Sequence, residues 1–60
     1  MTLTEASQYL YTGIKRAGWE GYIKADESGR IWFVDGEGST WYWIAYKQDI
    51  DADDWERVSE

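Results

Sequence analysis

The acidic run between Trp43 and Trp55 contains the side chains with the clearest potential for chemistry. Its carboxylates match positions 1, 3, 5 and 12 of a calcium-binding EF-hand loop, namely Asp49, Asp51, Asp53 and Glu60. Position 6 of that loop requires glycine for a sharp turn, and here it is Asp54. A strand-like segment, rather than an entering helix, precedes the run. We therefore favour an acidic turn over a metal site.

Catalysis is not favoured by the composition. The chain has 60 residues with no His and no Cys, which removes imidazole bases, thiol nucleophiles and disulfides. The acidic residues fall in no catalytic motif, and so short a chain leaves little room for a deep site with supporting residues. We expect a protein that is not an enzyme and that uses no cofactor.

The net charge limits the class of partner. Twelve acidic against six basic residues give a net charge of −6, which argues against binding to duplex nucleic acid. A local basic site for a small anion and mimicry of nucleic acid by an acidic surface both remain open. No apolar run approaches the length of a membrane span and no signal peptide is visible, so we expect a soluble intracellular protein.

The N-terminal segment has the pattern of a short amphipathic helix. Thr2 and Glu5 form a capping-box pair. Apolar residues recur at helical spacing over residues 3 to about 12, namely Leu3, Ala6, Leu10 and then Ile14. Gly13 and Gly18 compete as the residue that ends the helix. The spacing alone does not separate these two ends.

Alternating patterns then predict three strands over residues 20–26, 30–35 and 40–47, with glycine-containing turns at 27–29 and 36–39. The acidic segment 49–54 indicates a turn or a single helical turn, and residues 55–58 indicate a short closing strand. The sequence therefore predicts one α+β domain over residues 1–60. In it, a short N-terminal helix packs on a small antiparallel β-meander.

The turns also predict a register and two sheet faces. Pairing Asp26 with Arg30 and Asp35 with Thr40 places one set of apolar side chains under the helix: Ile23, Ala25, Ile31, Phe33, Tyr42, Ile44 and Tyr46. The other face is a tryptophan platform edged with cations: Tyr22, Lys24, Arg30, Trp32, Trp41, Trp43 and Lys47. Such a face must be covered by a subunit or by a stacked nucleobase. We favour a homo-oligomer interface through its aromatic members, Tyr22, Trp32, Trp41 and Trp43.

Two sets of residues resemble the signatures of a phage protein family. The N-terminal set is Glu5-Ala6, Leu10, Gly13 and Lys15-Arg16-Ala17-Gly18-Trp19. The C-terminal set is Trp43-Ile44-Ala45, Asp49-Ile50, Ala52 and Asp54-Trp55, similar to Trp-Leu-Ala followed by Asp-Met-x-Ala-x-Asp-Trp in the same spacing. This is the family of the second type of Thoeris anti-defence protein, which also includes a type II-A anti-CRISPR member.

The resemblance implies a homo-oligomeric sponge in the host bacterial cytoplasm. It would sequester a cyclic ADP-ribose isomer or a cyclic oligonucleotide without destroying it. On this sequence, the resemblance implies that Trp19 stacks on a base or lines the pocket, and that Arg16, beside Lys15, pairs with phosphate. Asp49 and Asp54 would position the pocket loop or contact ribose hydroxyls. The resemblance also ends the helix at residue 12 and adds a strand over 14–16.

The chain departs from the family pattern at two places. A middle section between Tyr22 and Trp41 is absent, and Tyr46-Lys47 replaces the usual Ser-Gln. The identity of the ligand therefore does not transfer from the family. The alternative function is a small acidic inhibitor that binds a bacterial defence protein, such as a CRISPR effector, through its acidic surface or its tryptophans.

Overall fold

A computed structural model describes residues 1–58. Its elements, in chain order, are α1 (Leu3–Ala6), a 3₁₀ turn (Ser7–Tyr9), β1 (Ile14–Arg16), β2 (Tyr22–Ala25), β3 (Ile31–Val34), β4 (Thr40–Tyr42), α2 (Lys47–Asp51) and β5 (Trp55–Arg57). The strands form one antiparallel sheet in the order β4-β3-β2-β1-β5. The prediction of an α+β fold with a short N-terminal helix and an antiparallel sheet is confirmed.

The N-terminal helix is shorter than predicted. Its capping box is present, since Glu5 N donates to Thr2 Oγ1 at 3.2 Å and Thr2 N donates to Glu5 Oε1 at 2.8 Å. The hydrogen bonds that Thr2 N and Thr2 Oγ1 donate to the Glu5 carboxylate lower the pKa of Glu5. The α-helix ends at Ala6 because hydroxyls then bond to backbone carbonyls, as Ser7 Oγ does to Thr4 O at 2.7 Å. The predicted helix over residues 3–12 was therefore too long.

Gly13 ends the helical region and leads into β1. Its φ is +118°, a conformation that favours glycine, and its amide donates to Tyr9 O at 2.9 Å. The strand over residues 14–16 that the resemblance implied is present as β1. The closing strand is also present as β5, one residue shorter than predicted.

The two edges of the sheet differ. At the β5 edge, Met1 pairs with Trp55: Trp55 N donates to Met1 O at 3.0 Å, and the Met1 ammonium donates to Trp55 O at 3.0 Å. β4 forms the opposite edge, where β3 is its only strand partner among residues 1–58. The sheet therefore has one edge that is partly capped and one that is open.

The register of the first hairpin is as predicted. Lys24 lies opposite Trp32 and Tyr22 lies opposite Val34. The turn begins at Asp26, whose Oδ1 accepts the amides of Ser28 at 2.9 Å and Arg30 at 3.1 Å. With Gly29 at a φ of +89°, this is a three-residue loop closed by a side chain.

The predicted register of the second hairpin was wrong by one residue. Asp35 pairs with Ser39 rather than with Thr40, and Asp35 N donates to Ser39 O at 3.0 Å. Asp35 Oδ1 accepts the amides of Glu37 and Ser39, both at 2.9 Å, and Gly38 has a φ of +92°. The two turns thus share one pattern, aspartate at the first position and glycine at the fourth. That pattern specifies a three-residue loop, whereas a four-residue loop was predicted.

This shift moves the side chains of β4 to opposite faces. Trp41 lies opposite Phe33 on the helix side, with ring centroids 5.7 Å apart, and Tyr42 stacks on Trp32 at 4.5 Å on the other side. The predicted tryptophan platform therefore does not exist as one surface. Tyr22 and Trp32 lie on one face, and Trp41 and Trp43 lie on the helix side.

The core is small and lies between the helix side of the sheet and the two helices. Its buried members are Ala6, Ile14, Ile23 and Trp55. Trp55 also donates its indole Nε1 proton to Asp49 O at 2.9 Å, which holds α2 against the sheet. Within residues 1–58, every buried side-chain polar atom has a hydrogen-bond partner.

Candidate functional site

An aromatic pocket of about 280 Å³ opens beside β4. It is lined by Trp19, Phe33, Trp41, Tyr42, Trp43, Ile44, Tyr46 and Asp49. Six of these eight residues are aromatic and one, Asp49, is charged. This volume lies just below the range usual for small-molecule sites. It suits one ring system rather than a whole dinucleotide.

Separate elements supply the walls of the aromatic pocket. The loop between β1 and β2 supplies Trp19, and β3 and β4 supply Phe33 and Trp41. The segment 43–46, which leaves the sheet after β4 and leads into α2, supplies most of the rest. This segment crosses from the sheet to α2 and is not a strand. Its side chains therefore do not alternate between two faces, and they line one concave surface.

The inner wall is packed and the outer wall is exposed. Trp19 meets Trp55 edge-on at 5.2 Å and Phe33 at 5.6 Å, so its ring is held by the core. At the mouth, Trp41 is 51% exposed and Tyr46 is 62% exposed. Exposed aromatic rings around a held inner ring form a surface on which a flat group can stack.

Behind the pocket lies an ion triad of Arg16, Asp49 and Asp54. Arg16 Nε donates to Asp54 Oδ1 at 2.9 Å and Arg16 Nη1 donates to Asp49 Oδ1 at 2.9 Å. The hydrogen bonds that Arg16 donates to Asp54 and to Asp49 raise the pKa of Arg16, and the bond from Arg16 lowers the pKa of Asp54. The Asp49 side chain is only 8% exposed. The triad thus ties β1 to α2 and to the residue that precedes β5.

The residues implied as ligand-binding are only partly brought together. Trp19 and Asp49 line the aromatic pocket, whereas Arg16 and Asp54 lie behind it in the ion triad. Lys15 lies opposite Glu56 in the sheet, and its Nζ is 3.5 Å from Trp19 O. Because Lys15 alternates with Arg16 along β1, it points to the other face of the sheet. A phosphate at Arg16 would have to compete with two carboxylates.

Sequence reasoning missed several pocket residues. Phe33, Tyr42, Ile44 and Tyr46, which line the pocket, were assigned to the face under the helix. Their signal was present in the run from Trp41 to Tyr46, which has no charged residue and is too apolar for an exposed strand end. Only the correct register shows that this run lines a cavity.

The calcium hypothesis has no geometric support in the described residues. Asp49 bonds to Arg16, and Asp51 accepts from Lys47 Nζ at 2.6 Å. Glu60, the fourth carboxylate of the loop pattern, lies outside the described residues. Within residues 1–58, no group of three or more acidic side chains is placed to hold a metal ion.

None of the helices in residues 1–58 has the length and apolar character needed to cross a membrane. No protein-family model matches the chain, and no curated protein matches it.

Proposed function

We propose that this protein is a phage anti-defence protein that binds and sequesters a nucleotide-derived immune signal without catalysis. The signal would be a cyclic ADP-ribose isomer or a cyclic oligonucleotide in the host bacterial cytoplasm. The observation that carries the proposal is the aromatic pocket, where a held inner ring and exposed outer rings enclose about 280 Å³. The resemblance of both ends of the chain to the anti-defence family supplies the biological role.

Stacking on the aromatic pocket is the basis of binding. A base that stacks on an aromatic side chain gains about 1–3 kcal/mol, and indole and phenol rings lose little conformational entropy when they are fixed. A purine ring entering between Trp41 and Tyr46 would cover side chains that are 51% and 62% exposed in the free protein. The ring, rather than the phosphate, is therefore the group that the pocket recognises.

Phosphates of the signal are proposed to lie outside the pocket. Its lining contains no basic side chain, and Arg16 already bonds to Asp49 and Asp54. In this arrangement Arg16 acts on the ligand indirectly, by fixing the position of Asp49. For a direct phosphate contact, the Arg16 guanidinium would have to break its bond to one of these carboxylates and bond to the phosphate of the ligand instead.

Assembly as a homo-oligomer is part of the proposal. Its support is the exposed apolar surface around the open sheet edge: Trp41, Tyr42, Ile44, Tyr46 and Ile50 are all more than half exposed. Contiguous surface of this kind usually marks an interface. A second copy at this edge would cover part of the pocket mouth, and Trp41 remains the interface residue best placed for this role.

The second candidate function is inhibition of a defence protein by direct binding. Its support is the proximity of exposed apolar residues, Ile44, Tyr46 and Ile50, to exposed acids in α2 and after it in a chain of net charge −6. Acidic surface around an apolar centre suits a basic protein surface that normally binds nucleic acid. A purified CRISPR effector inhibited by nucleotide-free protein would support this function.

Retention of ligand tests the proposal directly. The pure protein is incubated with a panel of cyclic ADP-ribose isomers and cyclic oligonucleotides, separated from free ligand and heated, and the released compounds are identified by mass spectrometry. We expect intact, unmodified signal to be released. If micromolar protein retains none of the panel, sequestration is refuted.

Matched variants locate the site. Trp41→Ala removes an exposed ring from the pocket, and Tyr11→Ala removes a ring that is 70% exposed and lies outside it. We expect retention to be lost only in Trp41→Ala. Equal loss in both variants, or in neither, would contradict binding in the pocket.

A further inference from the structure

The charge of the aromatic pocket carries information beyond its shape. Within residues 1–58, Asp49 is the only charged residue that lines it. The nearby cations have partners within the chain: Arg16 bonds to Asp49 and Asp54, and Lys47 bonds to Asp51. The rings of the pocket therefore surround a carboxylate without a basic side chain among them.

The carboxylate of Asp49 is nearly buried but only partly satisfied. Its side chain is 8% exposed, and within residues 1–58 its one hydrogen bond comes from Arg16 Nη1 to Oδ1. A group that fills the pocket would displace solvent beside this side chain, whose other oxygen accepts no hydrogen bond within residues 1–58. A neutral apolar ring would leave that oxygen without a partner, which is costly, whereas a positive charge would replace the lost water.

The aromatic rings favour the same sign of charge. The face of an indole or phenol ring attracts a cation, and the attraction is largest when water is excluded. Trp19, Trp41 and Trp43 line the pocket with two tyrosines and one phenylalanine. The net charge of −6 acts in the same direction over longer range.

From these observations we infer that the aromatic pocket selects a positively charged flat ring, an N-alkylated nitrogen heterocycle, over a neutral ring of the same shape. The inference rests on the proposed ring-binding function and adds the charge of the ring that is bound. The volume of about 280 Å³ matches one such ring with a short substituent. Asp49 is the residue that determines the preference for charge.

Two isosteric probes test the inference on the unmodified protein. 1-Methylnicotinamide is a cation, and 3-methylbenzamide is its neutral isostere. Each is titrated at low salt while the NMR signals of the tryptophan indole N–H groups are followed. We expect the cation to bind about tenfold more tightly than the isostere, by cation–π attraction and the carboxylate together.

Two variants, Asp49→Asn and Asp51→Asn, distinguish the effect of a carboxylate in the pocket from the effect of the net charge of the protein. Both remove one negative charge, but Asp51 lies outside the pocket and pairs with the exposed Lys47. We expect Asp49→Asn to reduce the preference to less than about threefold and Asp51→Asn to leave it unchanged. An equal reduction in both variants would overturn the role of Asp49.

The possible failures are distinguishable. Equal affinity for the two probes, or tighter binding of the neutral isostere, overturns the charge preference and leaves ring binding in place. Binding of neither probe at millimolar concentration refutes ring binding itself, and the inference falls with it. If Asp49→Asn does not fold, the comparison of the two probes on the unmodified protein still tests the preference for a charged ring.

Discussion

The ion triad and the aromatic pocket share Asp49, yet the side chains of the triad are bonded within the chain and those at the mouth of the pocket are largely exposed to water. In the triad, Arg16 finds both of its carboxylate partners within the chain, at 2.9 Å each. In the pocket, the rings of Trp41 and Tyr46 remain more than half exposed. A region whose groups are satisfied internally contributes to the fold. A region that leaves apolar surface in water is available for a partner.

The largest expected effect is at Trp55, which connects the two regions. Its ring is 2% exposed, meets Trp19 and Trp43 edge-on, and donates to Asp49 O. Trp55→Ala should lower the free energy of unfolding by about 3–5 kcal/mol. In so small a domain that loss should abolish cooperative folding at room temperature. Urea denaturation followed by circular dichroism measures it, and a fully folded Trp55→Ala would contradict the packing described.

Arg16→Ala is the next largest change and tests the triad. It leaves the nearly buried Asp49 without its partner, so we expect a clear fall in the urea midpoint. Lys47→Ala is the control, because that ion pair is exposed, and it should change the free energy of unfolding by less than roughly 0.5 kcal/mol. Equal effects would mean that the triad is no more than a surface ion pair.

Ligand retention by the Arg16→Ala variant distinguishes two roles of Arg16, positioning of Asp49 and direct contact with phosphate. The resemblance implies that Arg16 pairs with phosphate, and on that basis Arg16→Ala should abolish nucleotide retention at an unchanged oligomeric mass. If Arg16 acts by positioning Asp49, retention of a phosphate-free ring should fall along with that of the nucleotide. Loss confined to phosphate-bearing ligands would instead place Arg16 on the phosphate.

Acid should weaken the ion triad and the turn at Asp26 without a direct effect on the rings of the aromatic pocket. The pKa of Asp54 is lowered by its bond from Arg16, and the pKa of Asp26 is lowered by bonds from Ser28 and Trp32. A lowered folded-state pKa means that the stabilisation is complete above the unfolded value of about 3.9 and is lost as pH falls through the folded value. The free energy of unfolding should therefore decline from about pH 4 downward. Asp54→Asn should decline less steeply, and an unchanged slope would contradict this assignment.

A small effect on stability is expected at Trp41. Its ring is 51% exposed and stacks on Phe33 at 5.7 Å, so Trp41→Ala should cost about 1 kcal/mol or less. Binding of ring ligands should nevertheless be lost. A variant that keeps its thermal midpoint but no longer perturbs ligand NMR signals would sharpen the contrast between the two regions. A large loss of stability would show that the pocket is part of the core.

Local patterns predicted much of the fold. The capping box at Thr2 and Glu5, the turn at Asp26, and the closing strand from Trp55 each depend on neighbours in sequence, and each is present. The predicted register of the second hairpin was wrong because its loop contains two glycines, and the pattern did not show that the second glycine has the positive φ. Comparison with the Asp26 turn, which has the same aspartate and glycine spacing, would have given the correct register.

The candidate site was less predictable than the fold. The contact of Arg16 with Asp49 and Asp54 spans more than thirty residues of sequence, and no periodicity relates the three. Trp19 and Asp49 were named because of the family resemblance, whereas Ile44 and Tyr46 became pocket residues only through the path of the chain after β4. A cavity formed where a chain leaves a sheet has no repeating pattern in sequence.

The unequal edges of the sheet limit how copies can join. Met1 occupies the backbone groups of Trp55 at the β5 edge, whereas β4 is open and carries no charged residue that would repel an identical strand. Two β4 strands paired about a twofold axis would use up both open edges. Growth would then stop at a closed pair, because a filament needs two different edges that remain free. The same N-terminal contact that completes the fold therefore also opposes unlimited polymerisation.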